Sequence, residues 1–305
     1  MSVSNKPENP TMESWIRAAA ADMETEGLFF GHGTDNAIDE ACWLASAGLG
    51  LPPDFDPQLF AQVLDREQVG HLDGLLSKRI ETRQPLAYLL GEAWLAGLSF
   101  EVTTDVLVPR SPLAELIIDG FEPWLSESQL QRAVDVGTGS GCLAIVLAHH
   151  HPQCRVDALD VSPAALALAE RNAQRHSLSD RVAVIESDLL GGVPGERYDL
   201  ILTNPPYVPT ASMDNLPAEF EHEPRLGLEA GADGLDLVWK LLIQAPDHLS
   251  EHGILVCEVG EAAEALQAML APDIEPIWLE FAHGGDGVFL LEKDAVMAAA
   301  AKLES

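Results

Sequence analysis

The stretch Asp135-Val136-Gly137-Thr138-Gly139-Ser140-Gly141 decides the fold class of this chain of 305 residues. It follows the apolar run Ala133–Val136 and precedes a helical pattern over Leu143–His150, so it predicts a turn at which a strand ends and a helix begins. Glycine permits positive φ angles there and lets a ligand approach the backbone, because no Cβ stands in the way. The G-x-G-x-G spacing differs from the G-x-G-x-x-G that seats a dinucleotide pyrophosphate.

Strand and helix patterns alternate from about Glu92 onward. The predicted strands are Ala133–Val136, Val156–Asp160, Val182–Glu186, Leu200–Thr203, Gly253–Val259, Ile274–Phe281 and Gly287–Glu292. The predicted helices between them are Leu143–His150, Pro163–His176, Leu235–Leu249 and Ala262–Leu270. Such alternation predicts an α/β fold with a mostly parallel, doubly wound, Rossmann-like sheet. The last two strands follow each other closely, which predicts one antiparallel edge strand.

The N-terminal part of the chain has a different pattern. Apolar residues such as Trp15, Ala19 and Met23 recur there at helical spacing. We therefore predict a small all-helical domain over residues 1–95, followed by the α/β domain over residues 96–305.

The net charge of the chain limits the types of partner that we expect it to bind. It has 49 acidic and 17 basic residues, a formal net charge of −32. Proteins that bind a phosphate backbone carry clustered Lys and Arg, so direct nucleic-acid binding is not expected, and neither is docking on an anionic membrane. A basic protein remains a suitable partner, since charge complementarity steers encounter.

Cysteine spacing and the N-terminus indicate the compartment. The four cysteines form no C-x-x-C pair, so neither a disulfide framework nor a zinc or other metal site is expected. Met1 to Met12 lacks the apolar core of a secretory signal, and no run approaches the length of a membrane span. A cytoplasmic location is the expectation.

Acidic residues accompany the ends of the first three predicted strands. Asp135, two residues before Gly137, suits a cationic group such as an α-amino group or a sulfonium. Asp160 follows the second strand and can accept hydrogen bonds from two ribose hydroxyls. Asp188 follows the third and can accept from an adenine amino group, with Leu189 against the ring. This ordered set resembles the S-adenosylmethionine site of Rossmann-like methyltransferases. A nicotinamide dehydrogenase fits the glycine spacing less well.

The fourth predicted strand ends in Asn204-Pro205-Pro206-Tyr207. Two prolines lack N–H donors and make the backbone rigid. The Asn204 side-chain oxygen and the Pro205 carbonyl can together accept both hydrogens of one NH₂ group, and Tyr207 can pack on a planar group. An amide nitrogen is a poor nucleophile, so holding it in position before an electrophilic methyl is the chemistry that this loop suits.

The Asn-Pro-Pro-Tyr loop and three further segments resemble the protein-glutamine methyltransferases. Those segments are Val106 to Leu116, His222-Glu223-Pro224 and Gly227 to Asp236. The resemblance runs from about Gly31 to Lys293. Ser111-Pro112, His32 to Asn36 and Gly284 to Phe289 resemble the PrmB type, the subgroup that modifies the third protein of the large ribosomal subunit. The resemblance implies methyl transfer from S-adenosylmethionine to a glutamine amide, with a large-subunit ribosomal protein as the basic protein substrate.

The sequence is also compatible with three other functions. Glutamine methylation of peptide release factors uses the same chemistry on a different protein. A nucleic-acid adenine methyltransferase would also carry the Asn204–Tyr207 loop, although no basic recognition segment is present. A protein that has the cofactor fold but only binds ribosomal particles would not need that loop.

Overall fold

The computed structural model describes residues 9–52, 54–282 and 284–305, so part of the polar N-terminal segment lies outside the described residues. The chain divides into two compact units. The part up to Ala93, together with Leu216–His222, forms a helical unit, and Trp94–Asn215 with Glu223–Ser305 forms an α/β unit. The division falls after Ala93, inside the short strand Glu92–Leu95, two residues before the boundary that the sequence predicts.

Three α-helices of the helical unit begin with side-chain caps. Its helices are α1 (Met12–Thr25), α2 (Ala37–Gly48), α3 (Arg66–Thr82) and α4 (Leu86–Leu90). The side chain of Thr11 accepts a hydrogen bond at the start of α1, and that of Asn36 does so at the start of α2. Asp65 and Gln68 form a capping box at α3. Trp15, Leu44 and Leu72 lie fully buried in the shared core of these helices.

A buried ion-pair cluster joins distant parts of the helical unit. Arg79 on α3 is 1% exposed; its Nε lies 2.7 Å from Glu40 Oε1 and its Nη1 lies 3.4 Å from Glu219 Oε1. Glu219 also accepts a hydrogen bond of 3.0 Å from the backbone N–H of Phe29. His222 contacts the carbonyl of Thr82 at 2.8 Å. These contacts hold the segment Leu216–His222 in the helical unit.

Strands and helices alternate along the chain of the α/β unit. A two-stranded sheet pairs β1 (Glu92–Leu95), in which the division between the two units falls, with β2 (Leu98–Glu101). The elements up to the Asn-Pro-Pro-Tyr loop are α5 (Leu113–Asp119), β3 (Arg132–Val136), α6 (Cys142–His150), β4 (Arg155–Asp160), α7 (Pro163–Arg175), β5 (Val182–Glu186) and β6 (Tyr198–Thr203). The later ones are α8 (Asp236–Gln244), β7 (Leu249–Glu258), α9 (Ala263–Leu270), β8 (Ile277–Leu279), β9 (Val288–Glu292) and α10 (Lys293–Leu303).

The large sheet has seven strands in the order β5-β4-β3-β6-β7-β9-β8. The pairs from β5 through β7 are parallel, and β9 runs antiparallel to both β7 and β8. The predicted Rossmann-like α/β fold is confirmed. The antiparallel strand lies one position in from the edge, because β8 pairs on the outer side of β9 and becomes the edge strand itself.

Both faces of this sheet are covered by helices. Ala133 and Val134 are neighbours in β3, but Ala133 packs into the core that contains α6, whereas Val134 packs into the core that contains α8. Side chains alternate between the two faces of a strand, so a strand buried on both faces must be apolar throughout. This requirement explains the continuous apolar runs in the sequence.

Three elements differ from the sequence-based expectation. The hairpin of β1 and β2 and the terminal helix α10 were not predicted. The helix predicted over Leu235–Leu249 ends at Gln244, is followed by a short 3-10 turn over Ala245–Asp247, and Leu249 already belongs to β7. Pro246 explains the change, because proline lacks the N–H that an α-helix needs. None of the helices in residues 9–52, 54–282 and 284–305 combines the length and apolar character needed to cross a bilayer.

We expect the Arg79→Ala variant to lose about 3–5 kcal/mol of stability, because it leaves the buried Glu40 carboxylate without its guanidinium partner and leaves Glu219 with the 3.5 Å pair to Arg83. Urea unfolding followed by circular dichroism measures the loss. Arg17→Ala is the matched control, since Arg17 pairs with Glu13 on the surface and exposed pairs contribute little. An Arg79→Ala midpoint equal to that of the wild type would contradict the structural role of this cluster.

Candidate active site

Strand register brings the predicted site residues to one edge of the sheet. In β3, Val136 pairs with Leu159 of β4 on one side and with Thr203 of β6 on the other. The Thr203 hydroxyl also donates a hydrogen bond of 2.7 Å to the Val136 carbonyl. Because parallel strands that end in register release their loops side by side, the glycine loop and the Asn-Pro-Pro-Tyr loop are neighbours.

Positive φ angles shape the glycine loop. They are +74° at Gly137, +57° at Gly139 and +79° at Gly141, all in the region that favours glycine. At Gly141 an added Cβ would lie 3.0 Å from the Cβ of Ala169, so this glycine permits close packing against α7. At Gly137 nothing in the described chain lies within 4 Å of an added Cβ. The backbone at Gly137 is therefore open to a ligand.

Asp135 lies beneath this loop, where it is 1% exposed. Its Oδ2 accepts from the Thr138 hydroxyl at 2.6 Å and from the Ala144 N–H at 3.2 Å. Its Oδ1 is buried and has no hydrogen-bond partner among the described residues. Burial and, to a smaller extent, the neighbouring Asp160 carboxylate raise the pKa of Asp135 to about 6, although the hydrogen bonds from Thr138 and Ala144 oppose the increase. The sequence predicts that Asp135 faces a ligand. In the structure, its hydrogen bonds come from Thr138 in the loop and from Ala144, so the carboxylate supports the loop.

Asp160 links the second strand end to the glycine loop. Its Oδ2 accepts from the Gly139 N–H at 2.9 Å, and its Oδ1 accepts from the Ser162 N–H at 2.8 Å. Each carboxylate oxygen can accept more than one hydrogen bond, so the half-buried side chain keeps acceptor capacity for a ligand. The backbone contacts hold the carboxylate in a fixed orientation.

The third strand end presents Asp188 and Leu189. Asp188 is exposed, and Leu189 is half-buried with a φ of +51°. That conformation is uncommon for a residue with a side chain. Ser187 supports it, since its hydroxyl donates to the Leu189 carbonyl at 2.5 Å and accepts from the Gly192 N–H at 2.8 Å. The turn thus holds Leu189 in a conformation that such residues seldom adopt without support.

The Asn-Pro-Pro-Tyr loop is anchored at both ends. The Asn204 Nδ2 atom points to the Arg110 carbonyl at 3.5 Å, which turns the Oδ1 atom away as an acceptor. Pro205 is buried, Pro206 is half-buried, and the Tyr207 hydroxyl donates a hydrogen bond of 3.1 Å to Glu258 Oε1. Among the described residues the structure gives Asn204 Oδ1 no hydrogen bond, so this oxygen is available to a substrate.

Several supporting residues were not identified from the sequence. Asn172 on α7 is fully buried, and its Nδ2 atom donates to the Ser140 carbonyl at 2.9 Å, which ties the glycine loop to that helix. Glu258 ends β7 and is 6% exposed. The signal for Glu258 was a carboxylate at the end of an apolar strand, two residues before Gly260.

Arg110 helps to hold the segment that precedes the site. Its guanidinium forms two hydrogen bonds, of 2.6 and 2.7 Å, with the carboxylate of Glu223. A bidentate pair of this kind fixes the relative orientation of the two side chains and also stabilises their contact. Within residues 9–52, 54–282 and 284–305, no group of three or more His, Cys, Asp or Glu side chains has an arrangement that could hold a metal ion.

Comparisons with known proteins show what this chain is similar to. A family model described as "Methyltransferase small domain" matches residues 120–223. A protein of Xanthomonas campestris pv. campestris, named ribosomal protein uL3 glutamine methyltransferase, is 47% identical over 293 residues, which cover 96% of this chain and 94% of that protein. A protein of Bordetella pertussis with the same name is 46% identical over 296 residues, with coverages of 96% and 99%.

A solved structure is similar to this chain in fold. It is the crystal structure of the hMettl16 catalytic domain in complex with MAT2A 3'UTR hairpin 6, with a TM-score of 0.52 and 19% identity. The match covers 82% of this chain and 90% of that one. At this identity the likeness supports the methyltransferase fold and nothing further.

Asp135 makes stability depend on pH in a defined direction. Its pKa of about 6 lies above the ordinary 3.8, so the folded chain retains a proton that the unfolded chain releases. This contribution favours folding at low pH and is lost as pH rises through about 6. We expect the stability of the wild type, relative to Asp135→Asn, to fall between about pH 4 and pH 6 and to change little above that range. Urea unfolding of both proteins at several pH values tests this, and a constant difference would refute it.

Proposed function

The chain belongs to the family of ribosomal protein uL3 glutamine methyltransferases, and we propose that it methylates the side-chain amide nitrogen of a glutamine in protein uL3 of the large ribosomal subunit, with S-adenosylmethionine as the methyl donor. The chain is thus an enzyme, a methyltransferase. The observation that carries the proposal is the alignment of the glycine loop with the Asn-Pro-Pro-Tyr loop by the pairing of Val136 with Thr203.

The residues at the three strand ends fit the cofactor. The backbone at Gly137, at the start of the loop from Gly137 to Gly141, is open to the methionine part of the cofactor, and the Asp135 carboxylate beneath the loop favours a positively charged amino group. Asp160 keeps acceptor capacity for the ribose hydroxyls. Asp188 and Leu189 follow β5 and can receive the adenine. When bound, S-adenosylmethionine supplies an electrophilic methyl group on a sulfonium.

The Asn-Pro-Pro-Tyr loop positions the substrate amide. Asn204 Oδ1 and the Pro205 carbonyl would each accept one N–H of the glutamine NH₂ group. This orients the nitrogen lone pair and stabilises the positive charge that develops on the nitrogen as the bond to methyl forms. Pro206 keeps the turn rigid, and Tyr207 packs against the planar amide. The surplus proton can leave the nitrogen after the methyl has moved.

The charge of −32 suits a basic protein substrate. Ribosomal proteins are generally basic, so an acidic enzyme attracts one electrostatically, while the phosphates of RNA are repelled. We propose that the helical domain over residues 1–95 helps to recognise this protein, and that the enzyme acts in the cytoplasm, without binding nucleic acid or membrane directly.

The substrate can be tested directly. We expect the purified protein, supplied with isotopically labelled S-adenosylmethionine, to label uL3 and to leave release factors, DNA and RNA unlabelled. Scintillation counting measures incorporation, and mass spectrometry locates the methyl group. Transfer to a release factor with uL3 unlabelled would replace the proposed substrate but keep the chemistry. Transfer to adenine in a nucleic acid would overturn the proposal.

Asn204→Ala tests the role of the loop. Losing one preorganised polar contact to the reacting group lowers kcat by about 10²–10³ in comparable sites, so we expect a loss of at least that size. Cofactor affinity, measured by calorimetry, should remain close to that of the wild type. Asn215→Ala is the matched control, because Asn215 is exposed. A wild-type rate for Asn204→Ala would refute the assignment.

A further inference from the structure

We infer that Glu258 is a positioning residue that holds the Tyr207 ring in place for the reaction, an inference that rests on the proposed function. Glu258 ends β7, the parallel neighbour of the strand that carries the Asn-Pro-Pro-Tyr loop. Thr203, directly before the loop, pairs with Cys257, directly before Glu258. The register therefore delivers the Glu258 carboxylate to the loop from the neighbouring strand.

The two carboxylate oxygens of Glu258 bind two different segments. The Tyr207 hydroxyl donates to Oε1 at 3.1 Å, and the Ser111 hydroxyl donates to Oε2 at 2.6 Å. Ser111 also accepts a hydrogen bond of 3.2 Å from the Leu113 N–H at the start of α5. Glu258 thus joins the Asn-Pro-Pro-Tyr loop to the segment that leads into α5.

Burying the Glu258 carboxylate costs free energy, because a charged group loses its hydration. Glu258 is 6% exposed, and burial raises its pKa, while its hydroxyl partners and the charge of Arg110 favour the ionised form. The Arg110 guanidinium itself makes its two short hydrogen bonds with Glu223. An ionised carboxylate can only accept, so both hydroxyls must point towards it. This fixes the direction of the Tyr207 O–H bond, which a neutral amide would fix less strictly.

Two glycines, Gly260 and Gly234, allow the backbone to lie close to the ring and to the carbonyl oxygen of Tyr207. A Cβ on Gly260 would lie 2.8 Å from the Tyr207 ring, and a Cβ on Gly234 would lie 2.3 Å from the Tyr207 carbonyl oxygen. The ring therefore packs on the backbone at Gly260 while its hydroxyl is held by Glu258. A ring fixed at both ends presents one defined face to a substrate amide, and small displacements of a positioning group lower rates steeply.

Kinetics test this role. We expect Glu258→Ala to lower kcat about 10- to 100-fold and to change cofactor affinity less than about twofold. Tyr207→Phe should show a loss of similar size, and the double variant should be no slower than the slower single variant, because residues that act as a unit are not additive. Glu258→Gln keeps an acceptor for Tyr207 and should retain most of kcat. Glu292→Ala, at an exposed carboxylate on β9, is the control.

A second measurement does not depend on turnover. The chain has three tyrosines, so labelling with ¹³Cζ-tyrosine gives three resonances, and Tyr207→Phe assigns the one of interest. Burial and the Glu258 charge raise the pKa of Tyr207, with Arg110 opposing and Glu223 adding to the effect. Removing the charge in Glu258→Gln should lower the pKa of Tyr207 and move its resonance, whereas Glu292→Ala should leave it in place.

The outcomes separate this inference from the proposed function. No transfer to uL3 by the wild type would refute the function, and the Tyr207 resonance would still decide the positioning role. A wild-type kcat in Glu258→Ala, additive losses in the double variant, or an unmoved Tyr207 resonance in Glu258→Gln would each overturn the inference. If Glu258→Ala does not fold, Glu258→Gln and Ser111→Ala carry the test, and Ser111→Ala should shift the same resonance.

Discussion

The in-register pairing of β3 with β6 is the constraint on which the site depends. It places Val136 beside Thr203, and the Thr203 hydroxyl fixes the two strand ends to each other through the Val136 carbonyl. The glycine loop and the Asn-Pro-Pro-Tyr loop begin directly after these residues, so a shift of register would separate them. Val136 and Thr203 are both buried, so this pairing lies inside the packed sheet. The reaction thus depends on sheet packing.

Side chains from the neighbouring strands and helices hold the two loops in place. Asp160 orients the glycine loop from β4, Asn172 ties it to α7, and Glu258 reaches the Asn-Pro-Pro-Tyr loop from β7. Each support is a buried or half-buried polar side chain that hydrogen-bonds to other parts of the protein. Polar groups placed in this way add geometric precision, which methyl transfer to a poor nucleophile requires.

Local patterns predicted the sheet, the glycine loop and the Asn-Pro-Pro-Tyr loop, because each is encoded by residues that are close in sequence. Contacts between distant residues were not predictable in the same way. Glu219 joins the helical unit through Arg79, a partner 140 residues away, and Glu258 meets Ser111 across 147 residues. Nor could spacing show that the Asp135 side chain lies beneath its loop, since that depends on how Thr138 and Ala144 fold over it.

The most direct test of the whole account is mass spectrometry of ribosomal protein uL3 from cells that lack this enzyme. We expect one glutamine of uL3 to lose the mass of one methyl group in the deletion strain, and to regain it when the wild-type gene, but not one encoding Asn204→Ala, is restored. A uL3 protein that remains fully methylated in the deletion strain, or that is methylated equally well by the Asn204→Ala enzyme, would contradict the account.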